Sequence, residues 1–296
     1  MKSELPQGTR RPILVTGVPR SGTTWLARLL ARAPGTAMAG REPMNAHNRQ
    51  YGLGGTLPGW ARLTDPTPGQ RRRLALAYRG LNPFVFSRYG SGQWRAPLPG
   101  TRVVVKDPYA LASIPTVAEV TGAVPVLLFR HPGAVLASYR RMGWSPGLAP
   151  LCAMLEEQGL TEIVERSGVR ADLEPSSAEA LGRFWTALHE LALDDIASAG
   201  TPVVVVSHRE LAIGGADAGR ALAGRLGLTW SDEMTADLER ESSGPVDPNQ
   251  LHNFDRNPAE VADAWRAKLP EEDVAEVEAI AAGTLARLEE LRGAGA

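Results

Sequence analysis

Short, continuously apolar runs alternate with longer segments of helical periodicity along this chain. The apolar runs are residues 13–15, 103–105, 124–129 and 203–206. Such runs, bounded by glycine, proline or charged residues, are typical of strands that are buried on both faces of a sheet. Because helical segments separate them, the pattern predicts βαβ units and a central parallel sheet with right-handed crossovers.

The segments between the strands predict the helices of an α/β domain. One helix begins after Gly22, and the others cover residues 70–79, 112–120, 132–142, 148–166, 176–199, 216–226, 232–240 and 271–291. Ser176 and Glu179 have the spacing of a capping box at the start of the helix over 176–199. A stretch without periodicity, residues 41–68, predicts a long surface loop. We expect a single domain over 1–296, with 1–10 as a flexible tail.

Composition and charge exclude several classes of protein. The 296 residues are 43% hydrophobic and 22% charged, with a formal net charge of −1. This balance gives no support to a nucleic-acid-binding protein or a polybasic membrane protein. Cys152 is the single cysteine, which excludes an intrachain disulfide framework and a cysteine-rich metal site. No apolar run reaches membrane-spanning length and residues 1–11 lack the apolar core of a signal peptide, so we expect a cytoplasmic protein.

The strand over 13–15 leads into a loop that is suited to bind an anion. Gly17, Gly22 and Thr24 match the spacing of a nucleotide phosphate loop, but Thr23 stands where that loop has its lysine. The lysine contacts the β- and γ-phosphates of a triphosphate, so ATP loses its main cation here. Arg20 is the remaining cation, and its planar guanidinium suits an oxyanion on a diester or mixed anhydride. The loop therefore predicts a phosphate-like ligand other than the γ-phosphate of ATP.

A second motif follows the strand over 124–129. Arg130 leaves the carboxyl end of that strand, and Ser138 lies about two turns into the helix that Pro132 opens. Ligands of open α/β sheets bind beyond the carboxyl ends of the strands, where the first loop also lies. We therefore expect Arg130 and Ser138 to bind a second phosphate. Taken singly, each residue also suits a structural role, as an arginine capping carbonyls or an exposed serine.

Together the two motifs resemble those of the sulfotransferases that use 3′-phosphoadenosine 5′-phosphosulfate (PAPS). Residues 17–26 are similar to the family's 5′-phosphosulfate loop, and residues 130–139 to its 3′-phosphate motif, in which an arginine-x-proline precedes a serine and an aromatic residue. Their order and separation also fit, and the resemblance runs from about residue 12 to residue 290. It implies the P-loop NTPase-like sulfotransferase fold, PAPS as donor, 3′,5′-ADP (PAP) as product and no metal.

The resemblance also implies which residues bind PAPS. The loop would hold the 5′-phosphosulfate and the nearby adenine through Pro19, Arg20, Ser21, Gly22, Thr23, Thr24 and Trp25. Arg130 and Ser138 would bind the 3′-phosphate. Arg256 falls where the family often adds a basic loop to that phosphate, but the usual R-K-G tripeptide is missing, and an ion-pairing surface arginine is the rival interpretation.

Three residues are implied in catalysis. Several sulfotransferases that act on sugars have a glutamate general base after the first βα unit, where Glu42 lies here. Lys106, after the strand over 103–105, resembles the lysine that other members place against the transferring sulfuryl group, and Arg20 would neutralise the charge that develops there. The rival interpretations are ion pairs of Glu42 with Arg41 and of Lys106 with Asp107.

The histidines are weaker candidates for the catalytic base. Animal cytosolic members use a histidine base just after the strand that Lys106 ends, but Asp107 and Pro108 occupy those positions here. His131 lies inside the second motif. The other histidines have no evident partner in the sequence: His189 and His208 are interpreted as structural, whereas a role for His47 or His252 stays open.

Two rival functions stay open at this level. The first is a P-loop kinase or ATPase with an atypical loop, and the second is a nucleotide-binding module without catalysis. The acceptor is also open among a small molecule, a glycan and a lipid, with a hydroxyl favoured over an amine. Aromatic side chains that suit an acceptor pocket are Trp60, Phe84, Phe86, Trp94 and Trp144. Oligomeric state is not readable from the sequence.

Overall fold

The computed structural model describes residues 10–39, 41–45, 53, 60–81, 91–241 and 262–294. Over these ranges the chain forms a five-stranded parallel sheet in the order β2-β3-β1-β4-β5. The strands are β1 (Ile13–Thr16), β2 (Thr36–Ala39), β3 (Arg102–Lys106), β4 (Val124–Phe129) and β5 (Val204–Ser207). The predicted α/β fold with a central parallel sheet is confirmed.

Helices cover both faces of the sheet. They are α1 (Thr23–Leu30), α2 (Pro68–Tyr78), α3 (Ile114–Thr121), α4 (Pro132–Met142), α5 (Leu148–Glu157), α6 (Thr161–Ser167), α7 (Ala178–Ala199), α8 (His208–Arg225), α9 (Asp232–Glu241) and α10 (Glu271–Ala294). A 3-10 helix, Pro108–Ser113, precedes α3. Ile13, Val15 and Leu128 pack with α1, α8 and α9, whereas Leu127 and Phe129 pack with α4, α7 and α10. This alternation follows from the two-residue period of a strand.

The edge strand β2 is not predicted by the apolar pattern. Its sequence, Thr-Ala-Met-Ala, has low intrinsic strand propensity. All four residues are nevertheless buried, and the strand pairs with β3 from Thr36 opposite Arg102 to Ala39 opposite Val105. Pairing and burial in the sheet, rather than local preference, make this segment a strand.

Several predicted helix boundaries are wrong. The segment over 148–166 is two helices, because Gly159 between α5 and α6 adopts a left-handed φ of 65°. The N-cap of α7 is Ser177, whose side chain accepts the Ala180 N–H, while Ser176 Oγ donates to Glu174 instead. Helix α8 begins at His208, directly after β5, and kinks at Gly215, which has a φ of 50°. The segment after the kink matches the predicted helix over 216–226, so the sequence pattern misses only the first half of α8.

The topology brings the two predicted motifs to one edge of the sheet. β1 lies between β3 and β4, with Val15 opposite Lys106 and Thr16 opposite Leu127. The segments that leave β1, β3 and β4 therefore emerge side by side at the point where the strand order reverses, which is where open α/β sheets bind ligands. Among the helices in the described ranges, none has the length and apolar character needed to cross a membrane.

Candidate active site

Two glycines set the course of the loop that follows β1. Gly17 has a φ of 151°, and a Cβ atom there would lie 2.1 Å from the Leu128 carbonyl oxygen. Gly22 has a φ of 96°, and a Cβ atom there would lie 2.6 Å from His208 Cδ2. Both positions need glycine for its backbone conformation and for the close approach of a neighbour. Arg20, at a φ of 75°, is the non-glycine residue with a left-handed backbone in the described ranges.

The loop ends at the N-terminus of α1. Gly22 is the N-cap and has no side chain to accept the first N–H groups of the helix. Ser21 Oγ is buried and has no hydrogen-bond partner within the described part of the chain. The N–H groups of the first helical turn, the positive end of the helix dipole and the unsatisfied Ser21 hydroxyl together fit an anion.

Arg20, Arg130 and Ser138 meet beside this helix end. Arg20 Nε donates to Ser138 Oγ at 3.0 Å, and Arg130 Nη1 donates to the Arg20 carbonyl at 3.1 Å. The Arg130 carbonyl in turn accepts from Trp185 Nε1 at 3.1 Å, so the end of β4 is tied to α7. The structure thus brings residues from the two sequence motifs into direct contact.

This cluster carries a concentrated positive charge. Burial, followed by the charges of Arg20 and Arg141, lowers the pKa of Arg130 to about 10. Burial and the charge of Arg141 also lower the pKa of Arg20, whose guanidinium lies 5.3 Å from the centre of the Trp144 ring. Arg130 Nε is buried without a hydrogen-bond partner among the described residues. A buried guanidinium that other arginines repel and that keeps an unused Nε donor, as Arg130 does, gains most from a bound anion.

His208 is a site residue that the sequence reasoning missed. It opens α8 at the carboxyl end of β5, its ring fills the space above Gly22, and its centroid lies 5.7 Å from that of Trp25. Burial, and secondly the charge of Arg130, lower the pKa of His208 to about 3, so the imidazole is neutral. Its place directly after a strand, at the ligand edge of the sheet, is the sequence feature that indicates such a role.

Glu42 and Lys106 form an ion pair at the end of β3. Lys106 Nζ donates to Glu42 Oε1, and Asn45 Nδ2 donates to Glu42 Oε2. The Lys106 side chain is only 5% exposed and the Glu42 side chain only 14%. Because Lys106 is opposite Val15, this pair lies next to the start of the anion-binding loop. The structure therefore brings the predicted base and the predicted sulfuryl-binding lysine together.

Other predicted residues are placed elsewhere or are not described. Arg256, together with His47 and His252, lies outside the described residues. His131 caps α4, since its Nδ1 atom accepts the Gly133 N–H at 3.2 Å, and its ring stacks on Trp265. His189 is buried, with Nδ1 against the Trp185 carbonyl. Within the described ranges, no three His, Cys, Asp or Glu side chains come together as a metal site.

The chain is similar to known sulfotransferases. The profile of the sulfotransferase family matches residues 12–163. Among solved structures, the sulfotransferase domain from the curacin biosynthetic pathway is 18% identical, with a TM-score of 0.50 over 95% of this chain and 98% of its own. The sulfotransferase domain of the Synechococcus PCC 7002 olefin synthase is 18% identical (TM-score 0.46, 95% and 98% covered). Mouse sulfotransferase SULT7A1, complexed with PAP, is 13% identical (TM-score 0.47, 96% and 90% covered). No protein with a curated description matches the chain.

The family profile covers just over half of the chain and includes both anion-binding motifs, Glu42 and Lys106. The likeness to the curacin domain extends the shared fold over almost the whole chain. The chain therefore belongs to the sulfotransferase family and has its P-loop-like α/β fold.

Proposed function

We propose that this protein transfers a sulfuryl group from PAPS to a hydroxyl group of a small-molecule, glycan or lipid acceptor. The observation that carries the proposal is the meeting of Arg20, Arg130 and Ser138 at the uncapped N-terminus of α1. A donor with phosphates at both its 5′ and 3′ positions needs two anion sites close together. The first-turn N–H groups supply one, and the arginine cluster supplies the other.

Different residues at this edge of the sheet would bind the two anionic groups of the donor. Ser21, Thr23 and Thr24, with the loop N–H groups, would bind the 5′-phosphosulfate, and Arg130 with Ser138 the 3′-phosphate. Ser21 Oγ and Arg130 Nε are buried donors without a partner among the described residues, which fits them to such a ligand. When bound, PAPS supplies an activated sulfuryl group on a phosphate leaving group.

The Glu42–Lys106 pair would serve the transfer itself. Glu42 accepts the proton of the acceptor hydroxyl, and Lys106 neutralises charge on the sulfuryl oxygens, assisted by Arg20. Contacts with Lys106 and Asn45 fix both oxygens of Glu42 before any substrate arrives. Such preorganisation lowers the cost of orienting the base in the transition state.

Thermal shift with PAP, compared with ATP and magnesium, tests the donor. A ligand that binds only the folded protein raises its Tm by mass action, so we expect PAP to raise the Tm and ATP to have little effect. Arg130→Ala removes charge-assisted hydrogen bonds and should lower PAP affinity about 10- to 100-fold. Arg20→Ala should weaken PAP as well. Arg71→Ala, which removes an exposed arginine of α2 that pairs with Glu119, is the matched control.

The alternative, an atypical P-loop kinase, predicts the reverse result. A Tm shift with ATP and magnesium but none with PAP would reject the sulfotransferase proposal. If PAP binds, sulfuryl transfer from labelled PAPS to panels of phenols, sugars and fatty alcohols identifies the acceptor class, with Glu42→Gln as the blank.

A further inference from the structure

Asp107 lies between the loop that carries Glu42 and the 3-10 helix that follows β3. It is fully buried, and its N–H donates to the Val15 carbonyl at 3.0 Å, which extends the β1–β3 ladder by one residue. A buried carboxylate is costly unless its oxygens accept hydrogen bonds. The hydrogen-bond donors around Asp107 therefore indicate which segments it holds together.

The two carboxylate oxygens accept hydrogen bonds from two separate segments. Oδ1 accepts the Tyr109 N–H at 3.1 Å, which is the ordinary N-cap of the 3-10 helix. Oδ2 accepts the Met44 N–H at 2.7 Å. Helix capping needs only the first of these bonds. The second reaches across 63 residues of sequence to the Glu42 loop (residues 41–45).

This second bond fixes the backbone two residues after Glu42. Within the loop, the Asn45 N–H donates to the Glu42 carbonyl at 3.3 Å, which closes a tight turn around Met44. Met44 itself is 2% exposed and packs in the core beside β2 and β3. A turn held at Met44 and anchored to the end of β3 directs Glu42 back towards Lys106, the residue before Asp107.

Charged groups on each neighbouring segment act on Asp107. Burial, and next the Glu42 carboxylate, raise the pKa of Asp107 to about 7, against the opposing effects of the Met44 N–H, Lys106 and the Tyr109 N–H. Tyr78 on α2 is also close enough for Asp107 to help raise the pKa of its phenol. Two of the groups that favour the ionised carboxylate, the Met44 N–H and the Tyr109 N–H, are thus the ones that it binds.

We propose that Asp107 is a positioning residue, whose carboxylate ties the Glu42 loop to the 3-10 helix and so keeps Glu42 against Lys106. The meaning of this for catalysis rests on the proposed function, because it takes Glu42 as the base. The positioning itself does not depend on the ligand.

Hydrogen exchange of the full chain tests the positioning. Asp107→Ala removes both acceptor oxygens, so the Met44 N–H and the Tyr109 N–H both lose their hydrogen-bond partner. We expect amide exchange over residues 41–45 to become about tenfold faster or more. Ser113→Ala is the matched control, because Ser113 Oγ at the other end of the 3-10 helix binds the Leu63 N–H at 2.8 Å and the Ala61 carbonyl at 3.2 Å. It should speed exchange over 60–63 and leave 41–45 unchanged.

Unchanged exchange over 41–45 in Asp107→Ala, or an equal increase in Ser113→Ala, would overturn the proposal. If Asp107→Ala does not fold, an NMR titration of the wild-type protein tests the proposal instead. If both N–H groups bind the Asp107 carboxylate, the amide chemical shifts of Met44 and Tyr109 titrate with a common midpoint. Separate midpoints would reject the proposal.

Kinetics separate positioning from a general structural role. In Asp107→Ala we expect PAP affinity and the KM for PAPS to stay within about twofold of wild type. The kcat for PAP release, with water or 2-naphthol as the probe acceptor, should fall about tenfold or more. A parallel loss of PAP affinity would reject positioning in favour of general destabilisation. If wild type does not bind PAP, the proposed function fails, and the exchange result still decides the role of Asp107.

Discussion

The donor side of the site and the Glu42 side are held by the fold in different ways. On the donor side, the loop of residues 17–22 is confined by the backbone of β4 and by His208, and Arg130 follows β4 directly. On the Glu42 side, the ion pair of Glu42 and Lys106 joins a sheet residue to a loop that follows the edge strand β2. Two hydrogen bonds organise that loop: the Asp107 carboxylate accepts the Met44 N–H, and the Asn45 side chain donates to Glu42.

Under the proposed function the two sides have different roles, because the donor side binds PAPS and the Glu42 side carries out the transfer. Changes on the donor side should alter affinity for PAP and leave the Glu42 loop unaffected, whereas changes around Glu42 should alter turnover and leave PAP affinity unaffected. Variants that mix the two effects would show that the sides are coupled through the sheet.

Glu42→Gln should give the largest separation. Loss of a positioned general base typically costs 10²–10⁴-fold in rate, so kcat for transfer should fall by about that range. The Tm shift with PAP should match that of wild type. Glu119→Gln, which changes an exposed carboxylate that pairs with Arg71, should keep full activity. A loss of PAP binding in Glu42→Gln would show that Glu42 also supports donor binding, which contradicts the separation of the two sides.

Gly22→Ala tests the donor side through the backbone. The new Cβ atom meets the His208 ring, and a φ of 96° is strained for alanine, so we expect a destabilisation of about 1–3 kcal/mol together with weaker PAP binding. Gly224→Ala in α8 meets no neighbouring atom and should be neutral or stabilising by less than about 1 kcal/mol. Chemical denaturation measures both. Equal stability of the two variants would contradict the close packing of His208 on the loop.

Ser138→Ala should give a smaller effect on the same side. It removes the acceptor of the Arg20 Nε bond and one donor for the 3′-phosphate, and we expect PAP affinity to fall about 2- to 10-fold. Isothermal titration measures this change. Comparison with adenosine 5′-phosphosulfate, which lacks the 3′-phosphate, sharpens the assignment, because its affinity should change less.

His131→Asn should change the pH dependence of stability. Burial lowers the pKa of His131, with Glu278, Arg266 and Asp263 as the nearby charges. The unfolded chain therefore takes up the proton first, and the stability from the neutral cap is present above about pH 6.5 and is lost as the pH falls below it. Asparagine caps without titrating, so the variant should keep about 1 kcal/mol that wild type loses in acid. Parallel pH profiles of unfolding would exclude a role for this proton.

Local patterns predict the donor side well. The strand, the glycines at 17 and 22 and the proline after Arg130 act within a few residues, and the structure places Arg20, Arg130 and Ser138 together as the motifs suggest. The same reasoning overlooks His208 and β2. His208 reaches the loop only because β5 lies beside β4, and β2 is a strand only because β3 pairs with it.

The sequence by itself determined the family, the α/β class and the residues suited to bind two phosphates, because glycine conformation, helix ends and arginine chemistry are local properties. Only the tertiary structure decided that Lys106 meets Glu42 and that Asp107 binds the Met44 N–H across 63 positions. Such contacts depend on strand order and on which buried polar groups satisfy one another, and no periodicity along the chain records either.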